Sequence, residues 1–198
     1  MPVQTNDSVA PMKKKPEILH RSLVAESRLF RIERFDLRFS NGVERTYERL
    51  VPGGSGAVMM VALLDDNTIA LIREYGGGVE DYTLTLPKGA VDLGESMRDA
   101  CNRELQEEIG FGAREFVYLK KISLSPSYMR GGIDLVLVRD LYPSKLEGDE
   151  PEPLELVPWP LDRITELFAR DDFSEGRAVA ALAIAQEYLA GRFEGETL

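Results

Sequence analysis

The sequence holds one cysteine, Cys101, and one histidine, His20. A lone cysteine excludes an internal disulfide and a cysteine-built zinc cage. A lone histidine near the N-terminus leaves Ser-His-Asp catalysis without a usable base. No apolar run approaches the ~20 residues that a membrane-spanning helix needs, and the opening MPVQTNDSVAPMKKKP lacks the apolar stretch of a signal peptide. Positive charge is short as well. Lys and Arg number 24 against 34 Asp and Glu, for a net charge of −10. An acidic surface repels phosphate backbones and anionic lipid, which argues against a general nucleic-acid or membrane-surface binder. A phosphate ligand would need cations to mediate. Neither GGSG nor GGG is followed by Gly-Lys-Ser/Thr, so neither is a P-loop. A soluble, cytoplasmic chain is expected.

The 198 residues are 43% hydrophobic, enough for one domain with a sizeable core, with or without an appendage. Residues 1–16 are polar and Pro-containing and read as a mobile tail. Residues 17–50 carry two extended runs around Asn41-Gly42, a hairpin signal. A type I′ turn would place both residues at positive φ. Residues 51–198 read as the main domain. AVMMVALLDDNTIALIREY gives two buried strands joined by a turn, YTLTLP a short strand, and EFVYLKKISL and IDLVLVRDL two more. Helices are expected over 96–109, 161–169 and 174–190, and GDEPEPLELVPWP is an acidic Pro-rich loop with a short strand. Strands mixed with three helices place the chain in the α/β (α+β) class, a mixed sheet between helical layers.

The helix over 96–109 is unusual. Ser96 is its expected N-cap and Gly110 its C′ residue. At about 100° per residue, Met97, Cys101, Leu105 and Ile109 form one apolar stripe. Glu108 falls inside that stripe, Glu104 at its edge and Glu107 farther round. Asp99, Asn102 and Gln106 take the opposite side, expected to be solvated. Acidic clusters on helices are ordinarily solvated faces, but an inward carboxylate must be paired, protonated or bound to a cation. Arg103 stands at i,i+4 from Glu107 and can hold that residue. Glu104 and Glu108 are then free to converge on a hard divalent cation, Mg²⁺ or Mn²⁺. Cys101, on the apolar face, reads as a buried inert thiol.

The helix belongs to a longer pattern. Gly89 is followed after five residues by Glu95, and after seven more by Arg103-Glu104-Leu105-Gln106-Glu107-Glu108-Ile109-Gly110-Phe111. With ordinary residue frequencies, a chance match is on the order of 10⁻⁷. The chain resembles the Nudix hydrolase family, whose box has this spacing. SRLFRIERFDLRFSNGVERTYERL, ALIREY, KKISLSPSY and DLYPSKLEGDEPEPLELVPWPL are similar to its ADP-compounds hydrolase branch.

The resemblance implies a Nudix fold with an N-terminal antiparallel β-hairpin extension. It implies a metal-dependent pyrophosphatase that cleaves ADP-ribose, diadenosine triphosphate and NADH with release of AMP. Glu104, Glu107, Glu108 and the backbone carbonyl of Lys88 are then the implied metal ligands. Arg103, Glu107 and Glu108 belong to the catalytic set, and Gly89, Glu95 and Gly110 shape the box. Gly89 is expected to adopt a φ that a residue with a Cβ resists, and Glu95 to brace the loop. A base is implied from the acidic loop, at Glu150 or Glu152, with Glu147 and Asp149 behind. Pro126 and Tyr128 stand 16 and 18 residues past Gly110, as in relatives acting on ADP-ribose and on dinucleoside polyphosphates respectively. Arg73, Arg45 and Arg49 are the implied substrate cations. Where relatives carry a basic residue after the tyrosine of IREY, this chain has Gly76-Gly77-Gly78.

Two other readings stay open at this level. One is a Nudix pyrophosphatase for another nucleoside diphosphate derivative, such as a nucleotide sugar. The other is a non-catalytic nucleotide sensor, which the intact box disfavours. The apolar side chains of residues 17–50, among them Phe30, Phe35 and Tyr47, are ones a Nudix core does not need for its own closure. A hairpin alone is marginal in water and must bury a face on its own core or on a partner, and a homodimer through this segment is expected.

Overall fold

Alternation along residues 57–76 builds the centre of the protein. Strand β4 (Ala57–Asp65) sends Val58, Met60 and Ala62 to one face and Met59, Val61 and Leu63 to the other. Strand β5 (Thr68–Gly76) divides Ala70 and Ile72 from Ile69 and Leu71 in the same way. Both faces are apolar, so the sheet must be covered on both sides. The computed structural model describes residues 13–198, and residues 1–12 of the expected tail lie outside them.

The described chain divides into two compact units. One comprises Gly54–Pro126 and Gly131–Leu198, the other the described residues up to Gly53 with Ser127–Arg130. In the larger unit an eight-stranded mixed sheet has the order β10-β5-β4-β9-β8-β11, with β6 on β5 and β7 on β4. The remaining strands are β6 (Asp81–Thr85), β7 (Lys88–Ala90), β8 (Phe111–Ile122), β9 (Ile133–Pro143), β10 (Glu155–Pro160) and β11 (Glu196–Thr197). β4 and β9 run parallel, and the other pairs of this sheet are antiparallel. Helix α1 (Met97–Glu108) covers one face with Ala100, Cys101 and Leu105. Helices α2 (Ile164–Phe168) and α3 (Gly176–Leu189) cover the other with Ile164, Leu167, Ala181 and Leu182. Each large side chain fully buried there contributes roughly 1.5–3 kcal/mol. A mixed sheet between helical layers, the expected Nudix architecture, is what the chain forms. Among the described residues, no helix is long and apolar enough to cross a membrane. Cys101 is buried, which pushes its thiol up to about 12 and accords with an inert role.

The smaller unit contains the expected antiparallel hairpin around Asn41-Gly42 and adds a further strand to it. It is a three-stranded antiparallel sheet of β1 (Glu17–Glu26), β2 (Arg31–Arg38) and β3 (Glu44–Val51). The β2–β3 turn is not type I′. Among the described residues positive φ falls on Gly42, at 82°, and not on Asn41. The Gly42 N–H donates to the Phe39 carbonyl at 2.9 Å, and the Val43 N–H to Asn41 Oδ1 at 3.1 Å. That fits a three-residue loop closed by a left-handed glycine. A distant segment also joins the unit. Leu50 donates to the Tyr128 carbonyl and accepts from the Arg130 N–H, both at 2.8 Å, which makes an isolated parallel bridge from Met129 to β3.

Candidate active site

The site is built from α1 outward, and both ends of the helix are capped as expected. Ser96 Oγ accepts the Asp99 N–H at 3.1 Å, and Gly110 follows the C-cap Ile109 at φ 76°. The apolar stripe is buried, and Glu108 lies in it at 8% exposure. Its Oε2 accepts the backbone N–H of Lys88 at 2.9 Å. Burial pushes the Glu108 carboxyl up to about 8; Lys88 opposes the rise, and Glu104 and Glu74 add to it. The Lys88 ammonium pairs with Glu74.

Arg103 does more than hold Glu107. Its Nη1 donates to Glu107 at 3.0 Å and to Glu104 at 2.8 Å, and its Nε to Glu95 at 3.0 Å. Its Nη2 donates to the Ala90 carbonyl at 2.9 Å and to Glu95 at 3.1 Å. Glu95 also bonds the loop backbone, its Oε2 accepting the Asp92 N–H at 3.0 Å. The expectation that Glu104 stands free of Arg103 is therefore corrected: one guanidinium serves three carboxylates. Burial still raises the Glu104 carboxyl, against Arg103 and with Glu107 and Asp149 adding.

Two further expectations change. Gly89 is not among the positive-φ residues. Its role is close approach: a Cβ there would lie 1.9–2.2 Å from the Glu104 carboxylate. The far side of α1 is not simply solvated either. Asn102 Oδ1 accepts the Ala113 N–H at 2.9 Å, and Gln106 Oε1 accepts the Ser144 hydroxyl at 3.0 Å.

Those contacts draw the segment after β9 back over the end of α1. Leu146 N–H donates to the Gln106 carbonyl at 3.1 Å, and Lys145 Nζ to the Glu107 carbonyl at 3.0 Å. The acidic loop then faces the box across a cavity of about 660 Å³, lined by Gly89, Arg103, Glu104, Glu107 and Glu108 on one side and by Glu147, Asp149, Glu150 and Glu152 on the other. The structure separates the two candidate bases. Glu152 accepts the Tyr82 hydroxyl. The Glu150 carboxyl is raised by loss of solvation and by Glu74 and Asp149.

Among the described residues, no three acidic, histidine or cysteine side chains already converge as a metal cage. Glu104 and Glu107 lean on Arg103 instead. The donor set still fits a hard divalent cation. It is all oxygen, and eight carboxylates line the cavity against the three basic side chains Lys88, Arg103 and Lys145. Burial, with neighbouring carboxylates adding, raises the Glu104, Glu108 and Glu150 carboxyls, a cost to their charged forms that a bound cation would offset.

The implied substrate cations are more dispersed. Arg73, on β5, pairs with Glu155 at 2.9 Å and Asp172 at 3.2 Å and lines a second cavity next to the first. Arg45, Arg49 and Tyr128 belong to the smaller unit, whereas Pro126 belongs to the larger. Arg49 pairs with Glu33 at 2.5 Å and lies over the Phe35 ring, and Arg45 donates to the Glu44 carbonyl at 2.7 Å. Sequence reasoning missed Glu74, Lys145 and Tyr82. Each reaches the site through partners far along the chain, and no local spacing marks them.

Comparison with known proteins bears on these geometries. Residues 16–49 match a family model described as the NudE-type Nudix hydrolase N-terminal domain, and residues 55–182 match the NUDIX domain. The chain is 52% identical over 178 residues to the ADP compounds hydrolase NudE of Escherichia coli (strain K12), covering 90% of this chain and 95% of that protein. It is 26% identical over 167 residues to the methanol dehydrogenase activator of Bacillus methanolicus, covering 82% of this chain and 88% of that protein. A solved structure, the crystal structure of ADP compounds hydrolase, superposes with a TM-score of 0.84 at 48% identity, covering 92% of this chain and 98% of the other.

Proposed function

The chain belongs to the Nudix hydrolase family, and from that premise we propose that it hydrolyses the pyrophosphate of ADP-linked compounds, with Mg²⁺ or Mn²⁺, to release AMP. One observation carries the reading. The box carboxylates and the acidic loop enclose a single cavity, with Glu104 nested on Gly89 and Glu108 held by the Lys88 N–H. The 52% identical relative, an ADP compounds hydrolase, supports the substrate class.

Glu104, Glu107, Glu108 and the Lys88 carbonyl would hold the ions. Bound divalent ions supply charge neutralisation for the pyrophosphate and acidify a water. The protein's own groups do the rest. Arg103 orients Glu95, Glu104 and Glu107 at once. The Lys88 amide fixes Glu108. Lys145, on the cavity wall, offers an ammonium to substrate phosphate. Glu150, with its carboxyl raised, takes the proton from the attacking water. Water adds to one phosphorus as its proton passes to Glu150, the bridging P–O bond breaks, and the leaving phosphate keeps the bridging oxygen with the bond's electron pair.

A substrate panel tests this reading. ADP-ribose, diadenosine triphosphate and NADH should each release AMP. Activity on some other diphosphate, with no AMP from these three, would reassign the substrate. In the same assay, Glu150→Gln should lower turnover on the order of 10²-fold or more. Glu152→Gln should lower it much less, because Glu152 is tied to Tyr82. Equal turnover in both variants would place the base elsewhere.

We also propose a homodimer through residues 17–50, with residues 51–198 as the hydrolase domain. β1 pairs only with β2 among the described strands, and it exposes Ile18, Leu19, Leu23 and Val24. An apolar strand left at an edge is a template for pairing with another chain. Sedimentation at micromolar concentration should give roughly twice 22.2 kDa. Deleting residues 1–14 should change little, and deleting 1–50 should cost solubility and activity together. A stable, active monomer after the longer deletion would refute the interface.

A further inference from the structure

Resting on the ADP-compound reading, we propose that the second cavity seats a nucleobase ring of the substrate, with Tyr75 as its stacking platform. This cavity, of about 420 Å³, shares the wall Glu150–Leu154 with the acidic one, so a molecule whose phosphates lie in the first can extend into the second. Its opposite wall is the β5–β6 hairpin, where Tyr75 and Tyr82 are direct cross-strand partners. Their ring centroids are 5.5 Å apart and the planes meet at 67°, an edge-on arrangement that does not stack one ring face on the other. Tyr82 is anchored by its hydroxyl to Glu152. Tyr75 remains 52% exposed, a large aromatic surface left open on a cavity wall.

The rest of the lining favours a planar neutral ring over a phosphate. Pro151, Pro153 and Leu154 are apolar. Among the described residues, the one basic side chain of this lining, Arg73, is engaged by Glu155 and Asp172, and no free cation waits there for an anion. Base-on-aromatic stacking tolerates any base, because every base has a π-face. Adenine and nicotinamide share this chemistry, and the test tells them apart.

Tyr75→Leu keeps apolar bulk and removes the ring, while Tyr75→Phe keeps the ring. Steady-state kinetics on ADP-ribose, diadenosine triphosphate and NADH provide the readout, with thermal melts to confirm folding. Tyr75→Leu should raise KM roughly 5- to 100-fold with kcat little changed, and Tyr75→Phe should behave as wild type. An equal rise on all three substrates places the shared adenine in the cavity. A rise on diadenosine triphosphate and NADH, with ADP-ribose unaffected, places the second base there. Unchanged KM on all three, in a folded variant, overturns the proposal and leaves the activity standing. If the Leu variant does not fold, Tyr75→Gln gives the same readout. A wild type inactive on all three substrates removes the premise, and the proposal falls with it.

Discussion

Glu108→Gln should lower turnover roughly 10²–10³-fold and yet make the metal-free protein more stable. The two effects have one cause. Glu108 sits in the apolar stripe of α1 at 8% exposure, so its charged form is poorly solvated. A glutamine of the same shape still accepts the Lys88 N–H and carries no charge to desolvate. The pH dependence follows from the sign of the shift. The folded-state carboxyl is raised from 4.5 to about 8, so between those values the unfolded chain binds fewer protons than the folded one. Stability from this group therefore falls as pH rises through about 4.5 to 8, and the penalty is complete above that window. In chelator, the melting temperature of Glu108→Gln should exceed that of wild type by a margin that grows across the window. Divalent ions should reverse the order, because they bind the folded carboxylate protein and stabilise it by mass action. Glu104→Gln should lose turnover similarly, since its carboxylate is also raised and lines the same cavity. Wild-type turnover in both variants would sink the metal assignment. A margin that stays flat with pH would show that Glu108 is charged throughout.

What the sequence revealed was what is local. The caps of α1, its buried stripe and the inward Glu108 depend on residues of one 12-residue helix and its immediate flanks, so helical spacing finds them. The period-2 alternation of β4 and β5 is equally local. β1 escaped because its register shifts between Ile18 and His20 and again between Leu23 and Ala25, and each shift breaks the alternation that would mark a strand. The turn at Asn41-Gly42 was found, but its type was not, since a three-residue loop also places glycine at the left-handed position. The bridge at Met129 depends on Leu50, far away in the chain, and no pattern near SPSY announces it. The same holds for the acidic loop. Composition marked it as rich in candidate bases, but only the Tyr82 hydroxyl, 70 residues from Glu152, distinguishes Glu152 from Glu150.

Gly89→Ala should separate the site from the fold most cleanly. An added Cβ would stand 1.9 Å from Glu104 Cδ and 2.0 and 2.2 Å from its two oxygens, well inside contact distance. Something must move, and the obstructing atoms are the end of a flexible side chain. The backbone at Gly89 has no left-handed φ to defend, so alanine costs little there. β7 can keep its pairing with β4 at Val58, and Arg103 can keep Glu95 and Glu107. The displaced group is the Glu104 carboxylate, which loses its seat against the Gly89 Cα. A shift of about 1 Å in a positioned catalytic group can cost on the order of 10² in rate. The expected result is a melting temperature within a few degrees of wild type, a turnover lowered by about two orders of magnitude, and weakened stabilisation by Mg²⁺. A variant that unfolds would instead make Gly89 a residue of the fold. Full activity would mean that the position of Glu104 against Gly89 does not matter to the reaction.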